Sequence, residues 1–114
     1  MAEEKKIRVL MVCAIGMSSS LIEQKVAKIA EEAGVPFEFE AIDVPEMGRW
    51  DFNEKPVDMV LIAPQARFKT RSVTQTAEPL GIVVENIDTV AYGMVDGEKI
   101  FEQIMNAVGD RLKK

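Results

Sequence analysis

The chain predicts an α/β fold of three layers, helices on both faces of a four-stranded parallel sheet. Three observations predict it. Nearly continuous apolar runs recur at residues 7–13, 57–63 and 81–86, the pattern of strands covered on both faces. Segments with helical spacing alternate with those runs, as in βαβ units. A further run, residues 37–43, alternates apolar and acidic residues and suits a sheet edge. At 114 residues the chain suits one compact domain spanning 1–114.

Taken in order, "IRVLMVC" is the first strand. "SLIEQKVAKIAEEAG" then sets Ile22, Val26, Ile29 and Ala33 on one helix face. Ser20 and Glu23 have capping-box spacing at its start, and Gly34 and Pro36 punctuate its end. "FEFEAID" places Phe37, Phe39 and Ala41 against Glu38 and Glu40. Residues 45–56 hold Pro45, Gly48 and Pro56 and predict a short or irregular helix. "VDMVLIA", residues 57–63, is a buried strand, and a crossover helix is expected from Arg67 to Ala77. "GIVVEN" is the last strand. "DGEKIFEQIMNAVGDRLKK" predicts an amphipathic helix with Ile100, Ile104 and Val108 in one stripe, flanked by Phe101, Met105 and Leu112. Asp96 is its expected N-cap.

Right-handed crossovers and an edge-like second strand favour the strand order 2-1-3-4, the flavodoxin/Rossmann-like arrangement. In that order the chain turns back between strands 1 and 3. Such sheets bind ligands there, beyond the carboxyl ends of the strands. Two loops are delivered to this point, "CAIGMSSS" and "PQAR".

Composition removes several functions. The chain has no histidine, which excludes a Cys–His pair, a Ser–His–Asp triad and any His-ligated metal site. Neither metal nor cofactor is expected. A single cysteine makes no internal disulfide and reads as cytosolic. The net charge of −5 is dispersed, with no basic patch interleaved with aromatics, so no nucleic-acid partner is expected. No apolar stretch approaches the roughly 18 residues of a membrane span. "MAEEKK" is no signal peptide. Work at a membrane would go through a partner.

The single thiol, Cys13, ends a strand at the mouth of a helix, whose positive end favours thiolate. Gly16 and the small serines let the backbone wrap closely around a ligand. The amides from Ala14 through Ile15, Gly16, Met17, Ser18, Ser19 and Ser20 form a cradle for an anion such as a phosphoryl group. A nucleophile inside a phosphate cradle implies a covalent phosphocysteine. The plainer alternative is a buried, inert thiol beside capping serines. The coincidence of strand end, glycine loop, serine cluster and switch point favours function. A dithiol role lacks its second cysteine. A phosphatase of the Cys-x5-Arg type needs an arginine where Ser19 stands. A phosphoryl carrier, which holds phosphate away from water, fits the missing arginine better. A non-catalytic anion-binding domain is the third reading.

"VCAIGMSSSLI", "VLIAPQARF" and "AYGMVDGEKI" resemble, in order and spacing, three signatures of the enzyme IIB component of the sugar phosphotransferase system. The lactose/cellobiose (also diacetylchitobiose) family is the closest match, and the resemblance runs from Ile7 to about Leu112. It implies that the Cys13 thiolate attacks the phosphohistidine of a IIA partner (EIIA). The phosphoryl group then rests on Cys13 and passes to a β-linked disaccharide of cellobiose, lactose or chitobiose type, held in the membrane partner IIC (EIIC). The protein would be cytoplasmic, reaching the membrane through EIIC. Ile15 and Ala63 stand where the family often has glycine. Gln65 and Arg67, on the second loop, either act on the phosphoryl group or a partner, or merely face solvent. Met17 is expected at a docking rim with Phe68, whereas Trp50 and Phe52 are expected to pack on the sheet. Tyr92 either hydrogen-bonds near the cysteine loop or packs. Docking should be brief, across a small and weak surface.

Overall fold

The computed structural model describes residues 6–13 and 19–110, and the side chains of these except at positions 19 and 20. Residues 14–18, which follow Cys13, and residues 111–114, with Leu112, lie outside the described residues. A four-stranded sheet of order β2-β1-β3-β4 organises the rest: β1 (Ile7–Cys13), β2 (Phe37–Asp43), β3 (Met59–Ile62) and β4 (Val83–Asn86). All three pairings are parallel, as predicted. β1 and β3 are central and almost wholly buried, which is why their sequences lack alternation.

The odd-numbered residues of β1, among them Val9, Met11 and Cys13, face one core layer under α1 (Ser19–Glu32) and α5 (Gly97–Val108). Leu10 and Val12 face the other layer. That layer is covered by α2 (Val44–Met47), the irregular segment after it and α3 (Thr70–Ala77). Trp50 and Phe52 pack there as expected, and the Trp50 indole N–H donates to the Lys55 carbonyl at 3.2 Å. α5 buries Ile100, Ile104 and Val108, and Asp96 caps it by accepting from the Lys99 amide at 3.2 Å.

Several expectations need correction. Ser20 and Glu23 form no capping box: α1 already includes Ser19 and Ser20, and the Glu23 carboxylate accepts from the Ala41 amide at 2.9 Å. An edge strand leaves outward amides without a strand partner, and Glu23 satisfies one of them. Ala33 lies past the end of α1 and is exposed; Ala30 is buried instead, beside Ile22 and Val26. β3 is shorter than residues 57–63, although the Ala63 amide still donates to the Val12 carbonyl at 2.8 Å. β4 begins two residues late because Gly81, at φ 81°, closes the 3₁₀ turn Glu78–Leu80. The crossover expected from Arg67 is split into a 3₁₀ turn, Pro64–Lys69, and α3. The Lys69 backbone (φ −96°, ψ −5°) sits between them. One helix is missing from the sequence reading, α4 (Thr89–Gly93), capped by Asp88 accepting from the Ala91 amide at 3.0 Å.

α1 and α5 meet at Gly97. A Cβ there would lie 2.9 Å from the Ile29 Cδ1 and 3.0 Å from the Lys25 Cβ. Gly97→Val therefore lowers unfolding free energy by about 1–3 kcal/mol in urea titrations, the usual cost of overpacking. Gly93→Ala, where a Cβ meets nothing within 4 Å, leaves stability unchanged or raised by up to about 1 kcal/mol.

Candidate active site

The parallel register sets Val12 beside Ile62, so Cys13 and the residues after Ile62 emerge at the same end of the sheet. The Ala63-to-Val12 hydrogen bond carries that pairing one residue further. Ala63 is fully buried in an extended backbone (φ −66°, ψ 155°), a conformation that any residue adopts. Alanine in place of glycine is thus no perturbation at this position. Pro64 then opens the 3₁₀ turn. Ala66 is buried and its amide donates to the Ala63 carbonyl at 2.8 Å, which anchors the turn and leaves Gln65 and Arg67 exposed. Phe68 beside them is 74% exposed.

Cys13 itself is only 3% exposed, and its S–H donates to the Ile42 carbonyl at 3.4 Å. In this state the sulfur shares the burial of the inert alternative. The acceptor is a main-chain oxygen of the neighbouring strand, which no sequence pattern marks. The thiol in this position is a protonated donor, and it gives up that bond when it ionises or is modified.

Tyr92 is brought to the cysteine. It is buried on α4 in the same core cluster as Cys13. Burial pushes its phenol above the usual 10.0, and negative charge on Cys13 pushes it further. A neutral hydroxyl is therefore retained near a sulfur that can carry charge. The Asp88 cap three residues before Ala91 was the available sequence signal for the helix that carries it.

Of the proposed cradle, Ala14, Ile15, Gly16, Met17 and Ser18 lie outside the described residues. Ser19 and Ser20 are the first two residues of α1. The described residues of α1, Ser19–Glu32, thus resume six positions after Cys13. Among the described residues no cluster of three or more Cys, Asp or Glu side chains is arranged to hold a metal, and no helix is long and apolar enough to cross a membrane.

The family model described as "PTS system, Lactose/Cellobiose specific IIB subunit" matches residues 8–103. The chain is 35% identical over 99 residues to the PTS system oligo-beta-mannoside-specific EIIB component of Bacillus subtilis (strain 168), covering 87% of this chain and 93% of that one. It is 35% identical over 104 residues to the PTS system galactose-specific EIIB component of Lactococcus lactis subsp. cremoris (strain MG1363), covering 86% and 95%. The solution structure of the cellobiose-specific phosphotransferase IIB component protein from Borrelia burgdorferi superposes with a TM-score of 0.70 at 32% identity, covering 93% of this chain and 94% of that one.

Tyr92 is the chain's only tyrosine, so tyrosinate absorbance reports it alone. In the folded protein its midpoint lies above 10.0, and it moves down in Cys13→Ser, which removes the nearby charge. Both states hold the neutral phenol below about pH 10. Above it the unfolded chain ionises first, so stability falls with rising pH until the folded phenol ionises too. Tyr92→Phe removes that alkaline slope in urea midpoints measured against pH.

Proposed function

The chain belongs to the lactose/cellobiose-specific IIB subunits of the phosphotransferase system, and on that premise we propose that it is a phosphoryl carrier acting through Cys13. The observation that carries the reading is the lone thiol at the carboxyl end of β1, at the switch point of the sheet, in a chain with no histidine. The donor imidazole must then belong to another protein, EIIA.

The first step forms an S–P bond and breaks the P–N bond of the phosphoimidazole. The Cys13 thiolate supplies the electron pair of the new bond, and the imidazole leaves with the pair of the broken P–N bond and takes up the proton that the thiol released on ionising. The second step reverses the sulfur's role. A sugar hydroxyl oxygen attacks phosphorus, the S–P bond breaks with its pair returning to sulfur, and the hydroxyl proton passes to that sulfur or to water. Before the first step the thiol must ionise and leave the Ile42 carbonyl, because an anionic sulfur has no bond to donate there. Amides from Ala14 to Ser20 would cradle the equatorial oxygens. The neutral Tyr92 hydroxyl shares the core cluster of Cys13, and Gln65 and Arg67 stand exposed on the 3₁₀ turn that follows β3.

The acceptor is a β-linked disaccharide of cellobiose, lactose or chitobiose type, held by EIIC. The chain's similarity to components named for oligo-beta-mannoside and for galactose is nearly equal, which supports leaving sugar choice to the membrane partner.

Incubation with phosphorylated EIIA is expected to give one acid-labile phosphoryl adduct per chain, which Cys13→Ser abolishes. Tyr92→Phe slows its formation severalfold while leaving the adduct intact. Rapid hydrolysis of an aryl phosphate without any partner would instead make the protein a phosphatase. Neither adduct nor hydrolysis would leave an anion-binding domain.

A further inference from the structure

Arg67, Lys69 and Arg71 follow one another along the 3₁₀ turn and the start of α3. No acidic residue occurs from Met59 to Ala77, whereas the rest of the chain carries eleven basic against nineteen acidic residues. The segment is a positive island on a negative protein. Among the described residues, the ion pair present joins Arg8 to Glu38, and none of these three cations has a carboxylate at ion-pair distance. Phe68 stands between them, 74% exposed. The island is also held in place. The Thr70 hydroxyl donates to the Asn86 side chain at 2.7 Å, tying the start of α3 to the end of β4. Ala66 anchors the turn beside the Cys13 end of β1.

The three cations lie within one short stretch of chain, and among the described residues no carboxylate pairs with any of them. An anion from outside would. We propose that this strip makes the protein bind its phosphorylated donor in preference to the spent donor. The inference rests on the carrier reading above. The occupant is a protein presenting a phosphoryl group on an imidazole, and the strip meets the charge of about −2 that such a group carries near neutral pH. Phe68 offers apolar contact that both donor forms share, so it gives no discrimination. The cations act on the phosphorylated form alone. Once the phosphoryl group has moved to Cys13, the donor has lost the charge that the cations hold, and the spent donor leaves. A carrier lacking this preference would be occupied by spent donor whenever that form is abundant.

The test uses the full chain as Cys13→Ser, which blocks transfer, titrated with phosphorylated and unphosphorylated EIIA at low salt. The phosphorylated form is expected to bind about tenfold more tightly, the combined effect of three exposed charge contacts. Lys69→Ala with Arg71→Ala, which leaves Arg67 in place, lowers the ratio to about twofold and leaves affinity for the spent form unchanged. The charge-keeping pair Lys69→Arg with Arg71→Lys retains the preference, which separates charge from folding. Salt near 1 M, where screening acts within about 3 Å, also removes it. A ratio near one in Cys13→Ser, or a ratio indifferent to the double alanine variant, overturns the proposal. If the wild-type chain takes phosphate from EIIA while the ratio stays near one, only this inference fails. If it takes none, the carrier reading fails with it.

Discussion

The pairing of β1 with β3 is the constraint on which the rest depends. Both strands are buried on both faces, so neither can slip by a residue without moving a full set of apolar side chains to the wrong core layer. That register carries Cys13 and the Pro64–Lys69 turn to one end of the sheet, and the Ala63-to-Val12 bond extends it to the last residue before the turn. The outer strands are secured differently. Glu23 meets an amide at the β2 edge, and Gln103 donates to both Glu85 and the Asn86 carbonyl at the β4 end, each at 2.9 Å. The Gln103 side chain also accepts from the Asp88 amide at 3.1 Å, which sets the entry to α4 and hence the place of Tyr92.

The sulfur occupies a boundary between core and site. As a thiol it is a small buried group bonded to the Ile42 carbonyl, indistinguishable in burial from its apolar neighbours. Ionised, it loses its only donor, and the carbonyl oxygen becomes an unfavourable neighbour. The Tyr92 phenol resists ionisation because it is buried and because the sulfur's charge opposes a second anion close by.

Electrostatics divide the reactive end of the molecule. Acidic residues outnumber basic ones elsewhere, yet the crossover after β3 is free of them and carries Arg67, Lys69 and Arg71. Two apolar side chains left exposed, Phe68 on the turn and Val90 on α4, follow the carboxyl ends of β3 and β4. Weak apolar contact supplemented by local charge suits a partner that must arrive, react and depart.

Much of this was determined by the sequence alone. Continuous apolar runs in β1 and β3, the Phe–Glu alternation in β2 and the stripe on α5 specify a parallel sheet with β2 at its edge, because burial on one face or two leaves a different periodicity. They also place Cys13 at the switch point, and the motifs around it identify the family. Only the tertiary structure decided that Glu23 reaches β2 and not its own helix start. It likewise decided that α4 exists, that Tyr92 lies with Cys13, and that the thiol rests on the Ile42 carbonyl. These depend on which backbone amides and carbonyls of distant strands are left without partners. That property belongs to the assembled sheet, and no local pattern of side chains records it.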